Sequence, residues 1–177
     1  MIVVMMAALG MGAGCSKSAS TTPVVLTVTN GSVSKTYSLA QIEALPSVSG
    51  PAGTINGGGA ISGQLQCKGV AMTQILSAVG TLTSDEAVEV IGSDGYTVTL
   101  AYQQITLGDF QTFDISSGDL VTASGPLTAF LEYQENRAAL GTDLGPVRLG
   151  ILSPEGQVTM ANLWVKWVDK IEVVPAQ

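Results

Sequence analysis

Apolar and polar positions alternate over Val24–Val28 (VVLTV), and a second run follows over Ser32–Tyr37. Asn30-Gly31 lies between them, so an opening β-hairpin is predicted. Ser38 and Gln41 have the spacing of a capping box, and Leu39, Ile42 and Leu45 share one face until Pro46, which predicts a helix of two turns. The stretch Gly50–Gly63 is glycine-rich, and its GGG at 57–59 predicts a turn between two strands, the second over Ala60–Cys67. A hairpin tip suits this stretch better than a phosphate-cradling loop, because no Lys-Ser/Thr follows it. Val70, Ile75, Leu76 and Val79 recur at roughly helical spacing, predicting a helix over Val70–Val79 that ends at Gly80. Ala87–Ile91 reads as a buried strand, Ser93-Asp94-Gly95 as its turn and Tyr96–Leu100 as the return. A polar loop is expected from Leu107 to Ser124, then strands over Leu127–Tyr133 and Val147–Leu152, and a closing run over Trp164–Val174. Eight or nine strands with two short helices and no internal repeat predict a mixed, strand-rich α+β domain rather than a doubly wound sheet.

Composition narrows the functional classes. The 177 residues suffice for about one domain, and 46% hydrophobic against 12% charged residues describe a chain that can bury a core. Seven cations against fourteen carboxylates give a net charge of −7, so no nucleic-acid partner is expected. The chain has no His, which removes imidazole metal ligation, Ser-His-Asp and Cys-His catalysis and imidazole proton transfer together.

The first fourteen residues, MIVVMMAALGMGAG, carry no charge. At ~1.5 Å per helical residue they reach about 21 Å, short of a ~30 Å hydrocarbon layer. An apolar run that ends in Gly12-Ala13-Gly14 before Cys15 resembles a bacterial lipoprotein signal, although Gly12 stands where a bulky aliphatic is usual and no Lys or Arg precedes the run. The other reading is a buried apolar N-terminal segment. The resemblance implies residues 1–15 as signal and lipidation Cys15, 16–23 as a tether, and 24–177 as a domain outside the cytoplasm, held to a membrane through the lipid. Cys67 is then the one remaining Cys, and no disulfide within the mature chain is possible.

Several landmarks follow in order: Lys68-Gly69-Val70 with Ile75-Leu76, Asp94-Gly95-Tyr96, Leu131-Glu132-Tyr133 with Asn136, Gly145-Pro146-Val147-Arg148-Leu149, and Lys166-Trp167-Val168-Asp169-Lys170-Ile171-Glu172-Val173. Together they resemble the sulfite-oxidase-like molybdopterin-binding domain in a short, single-domain form, over residues 24–174. Active members of that family bind molybdenum through a Cys thiolate in a Cys-x-Gly-Asn-Arg setting, with basic and His side chains on the cofactor phosphate and an Arg facing the oxyanion substrate. The resemblance implies Cys67 as the metal-ligand candidate, Lys68 and Arg137 as cofactor-binding candidates, and Arg148 as the candidate that orients substrate. Leu65-Gln66-Cys67-Lys68-Gly69 resembles the ligand setting, but Val70 and Ala71 stand where Asn and Arg would follow. A second alignment makes Lys68-Gly69-Val70 the family's later helix start and leaves Cys67 where no ligand normally stands; the helix that follows favours it.

The residues themselves leave alternatives open. A free Cys is commonly buried and inert, the reading favoured for Cys67, although a soft metal also takes a thiolate. A strand-borne Arg148 beside a Gly-Pro turn presents a fork to a carboxylate or an oxyanion, or forms a structural ion pair with a loop Asp. Asp109, Asp114, Asp119 and Asp143 match no calcium-loop spacing and read as a solvated face, while Trp164 and Trp167 read as core and rim of the last sheet. Three cations for a phosphate-bearing cofactor are few beside fourteen carboxylates. Three functions follow as expectations: a binding or accessory module with an incomplete molybdenum site and a small anion or protein as partner, a molybdopterin-dependent oxidoreductase using Cys67, or a structural envelope lipoprotein.

Overall fold

The computed structural model describes residues 22–176, so the leader 1–15, with Cys15, lies outside the described residues. The order of elements is β1 (Leu26–Asn30), β2 (Val33–Tyr37), α1 (Leu39–Glu43), β3 (Val48–Ile55), β4 (Ile61–Ala71), α2 (Met72–Leu76), β5 (Glu86–Gly92), β6 (Thr97–Ala101) and α3 (Tyr102–Thr106). Then come β7 (Thr112–Phe113), β8 (Leu120–Val121), β9 (Thr128–Glu135), β10 (Ala138–Ala139), β11 (Arg148–Leu152), β12 (Thr159–Met160), a 3-10 turn over Ala161–Leu163, and β13 (Val168–Pro175). The architecture is strand-rich with few short helices, as the hydrophobic pattern predicts.

Local chemistry explains the opening. Asn30 pairs with Val33 across the turn, where Gly31 has φ +55°, a value glycine adopts without a Cβ penalty. Ser38 caps α1: its Oγ accepts from the Gln41 amide at 3.3 Å, and Gln41 Oε1 accepts from the Ser38 amide at 2.8 Å. Three expectations need correction. The strand expected over Ala60–Cys67 continues to Ala71, so the helix begins at Met72, and Val70 is a fully buried strand residue. Two helices were expected and a third, α3, forms over Tyr102–Thr106, between the expected strand Tyr96–Leu100 and the loop from Leu107; Gln104 Oε1 accepts from the Ala101 amide at 2.8 Å and starts it. The polar 107–124 loop contains the β7–β8 pair, which Phe113 ties to Val158 by amide-to-carbonyl bonds of 2.9 and 3.0 Å.

The first sheet runs β2-β1-β13-β5-β6, parallel between β1 and β13 and antiparallel elsewhere. In the second sheet β4 pairs with both β3 and β9, β9 pairs with β11, and β11 reaches β3 through Leu152 and Ala52. Four strands, β3, β4, β9 and β11, therefore close into a ring. The outer face of β9 and β11 contributes Leu131, Tyr133, Leu149 and Ile151 to the main core, with Leu26, Val90 and Ile171 of the first sheet. The inner face carries a second core with one residue from each ring strand, Ala52, Cys67, Phe130 and Leu152, beside Trp164. Two-residue alternation puts Glu132 with Phe130, and Arg148 with Leu152, on this inner face.

Candidate functional site

Glu132 and Arg148 are direct cross-strand partners on β9 and β11, and both are buried. Arg148 Nε donates to Glu132 Oε2 at 2.5 Å and Nη2 donates to Glu135 Oε2 at 2.6 Å, so one guanidinium is shared by two carboxylates. The Trp164 ring covers that guanidinium, 5.0 Å from centroid to Cζ, and its Nε1 donates to Thr159 Oγ1 at 3.0 Å, which holds the indole in place. Gly150 leaves room for this packing, because a Cβ there would stand 2.7 Å from Phe130 Cε1 and 3.2 Å from Trp164 Cζ3. The Cys67 thiol lies against the Glu132 carboxylate, yet Glu132 Oε1 is left buried with no hydrogen-bond partner of ordinary geometry.

The titration of the group follows from this enclosure. Burial pushes the Cys67 thiol up, and the neighbouring Glu132 charge pushes it further. Burial also raises the Glu132 carboxyl, by more than its bond to Arg148 lowers it. The Arg148 guanidinium stays charged, since its two carboxylates outweigh the cost of its own burial. The Arg148 guanidinium and the Glu132 and Glu135 side chains thus surround the buried thiol.

The structure brings together two of the four described candidates, Cys67 and Arg148. Lys68 follows Cys67 on the strand and so projects to the opposite face, its Nζ 5.9 Å from the centroid of Tyr133. Arg137 is exposed on the β9–β10 turn, where Asn136 and Arg137 have φ 49° and 68°. Asn136 fastens that turn to β4, its Oδ1 accepting from the Gln66 amide at 3.1 Å. Arg148 does make an ion pair, but with two glutamates of the neighbouring strand rather than a loop Asp. Neither Trp lies on β13: Trp164 joins the second core, while Trp167 packs on the Gly145 turn and donates Nε1 to Thr142 O at 3.0 Å. Sequence reading passed over Glu132, Glu135 and Trp164 as site residues. An acid in the apolar run Thr128–Tyr133 was the available signal for Glu132.

These residues do not fit molybdopterin. A metal-bound sulfur must be a thiolate open to the metal; Cys67 is instead buried in the second core with the Glu132 carboxylate against it. A cofactor phosphate needs several free cations, and with Arg148 serving two carboxylates and Lys68 facing away, only Arg137 on the exposed β9–β10 turn is left of the three candidates. Among the described residues no group of three or more His, Cys, Asp or Glu is arranged to hold a metal ion.

No protein-family model matches the chain, and no curated protein sequence matches it. Among solved structures, the sulfane dehydrogenase SoxCD from Paracoccus pantotrophus is similar with a TM-score of 0.58 and 17% identity, over 84% of this chain and 37% of that one. This chain therefore spans little more than a third of that protein's length. At this identity the likeness concerns the fold alone, and it supports the sulfite-oxidase-like molybdopterin fold that the ordered landmarks imply.

Proposed function

We propose that the chain is a lipid-anchored domain outside the cytoplasm that uses the sulfite-oxidase-like fold without molybdenum cofactor, as a binding or accessory module. The observation that carries this reading is the enclosure of Cys67 by Glu132, with Arg148 held between two carboxylates, where a cofactor site would need a thiolate and a free cation. The anchor rests on the run ending at Cys15. The deciding experiment purifies the full chain, exported in a host that makes molybdenum cofactor, and measures molybdenum and pterin per chain. A folded protein with neither is expected, and near-stoichiometric molybdenum with pterin fluorescence overturns the reading.

One observation favours a second reading: Cys67 and Arg148, widely separated in sequence, share one cluster in a fold similar to that of a dehydrogenase. In that reading Cys67 is a metal ligand, Lys68 and Arg137 touch the cofactor, and Arg148 orients the substrate. A Cys67→Ser variant that keeps its metal ends it.

A further inference from the structure

Away from the Arg148 cluster, the segment 107–127 folds around a cleft of about 750 Å³. Its floor includes Phe110 and Leu127, both buried, but its rim carries Leu107 and Leu120, each 63% exposed. Apolar side chains left this open, gathered at one concavity, mark an interaction surface more often than scattered ones do.

The cleft is built in advance. Gly108 has φ +66°, and a Cβ there would stand 2.1 Å from Leu127 O, so the two walls meet backbone to backbone. The Phe110 and Leu127 amides both donate to Gly108 O, at 3.0 and 3.3 Å. At the other end Thr112 Oγ1 donates to Val121 O at 2.7 Å, and the Phe113–Val158 bonds fix β7 to the body of the domain. A partner would meet a surface with little left to order.

Charge indicates what that partner carries. The segment 107–127 itself has three carboxylates, Asp109, Asp114 and Asp119, and no Lys or Arg. Asp109 lines the cleft, Asp119 precedes Leu120, and Glu155 Oε2 reaches the Ser124 amide on the wall at 3.3 Å. We infer that the 107–127 cleft docks a short cationic segment of a partner protein, with an apolar side chain seated between Leu107 and Leu120 and flanking Lys or Arg facing Asp109, Asp119 and Glu155. The inference rests on the proposed reading of the chain as a binding module and names its partner. Steering by opposite charge would speed the encounter, and the leucines would set the residence time.

The test is a titration of the isotope-labelled full chain, followed by amide chemical shifts, with three synthetic peptides: alternating Leu and Lys, alternating Leu and Glu, and alternating Ser and Lys. Saturable binding of the Leu/Lys peptide is expected, with shifts confined to 107–127 and weakening as salt rises. Roughly tenfold weaker binding is expected for the Ser/Lys peptide, and for the Leu/Lys peptide on a Leu107→Ser/Leu120→Ser double variant, whose exposed positions leave the fold intact. Equal binding of the Ser/Lys peptide, equal binding by the double variant, or shifts spread over the whole acidic surface would overturn the inference. So would self-association of the free chain through the same residues, which would make the occupant a second copy. Molybdenum content separates the two claims: an empty protein that ignores the peptide defeats the docking site alone, whereas a loaded one defeats the reading beneath it.

Discussion

Arg148 and Glu132 face each other across β11 and β9 inside a closed ring of strands, joined at 2.5 Å, with the Glu132 side chain fully buried. Burying such a pair costs desolvation that its mutual attraction only partly returns, so its removal has opposite consequences depending on how much is removed. Arg148→Met leaves two carboxylates facing each other and is expected to destabilise by about 3–5 kcal/mol. Glu132→Leu together with Arg148→Met is expected to recover most of that loss, because Glu135, 24% exposed, then turns to water. Urea unfolding of the single and double variants measures the difference.

Stability should also respond to pH through Glu132. Burial raises its folded-state pKa above that of the unfolded chain, so between the ordinary carboxylate value and the raised one the folded state holds a proton that the unfolded state releases. The Glu132 contribution to stability therefore falls as pH rises through that interval, with Cys67, Glu135 and Arg148 as the charged and titratable neighbours. Asp85, held low by the Thr83 hydroxyl, and Asp114, held low by the Ser117 and Ser116 amides, act in the reverse sense, losing stability as pH falls through their depressed values. Glu132→Gln is expected to remove only the first component, which the difference between the two urea-midpoint profiles isolates.

Gly69 stands where β4 crosses β9 at a register shift, and a Cβ there would lie 2.1 Å from Leu131 O and 2.7 Å from Glu132 Cα. These are backbone atoms that cannot swing aside. Gly69→Ala is expected to cost about 1–3 kcal/mol or more. Gly57→Ala, with nothing within 4 Å, serves as the control and is expected to stay near neutral. Thermal unfolding of both variants checks the contrast.

The parts of the fold that were legible in sequence are those whose causes are local. Asn30-Gly31 and the Ser38–Gln41 box act within four residues, and the structure shows both. The β7–β8 pair was not legible, since its two-residue strands depend on Val158, far along the chain. Arg148 stood out as a cation beside Gly145-Pro146, but its partners did not. Strand periodicity puts positions 132 and 135 on opposite faces, which argues against their sharing one guanidinium. The enclosure of Cys67 was equally hidden, because it depends on closure of β3, β4, β9 and β11 into a ring.

The central claim, that Cys67 is an enclosed thiol rather than a thiolate ligand, is tested most directly by the infrared S–H stretching band of the native full chain as pH is raised. The band assigned to Cys67 by its loss in Cys67→Ala is predicted to persist well above the ordinary thiol pKa of about 8.5, for as long as the protein stays folded. Loss of that band at or below the ordinary thiol pKa, with thiolate absorbance replacing it, would contradict the account.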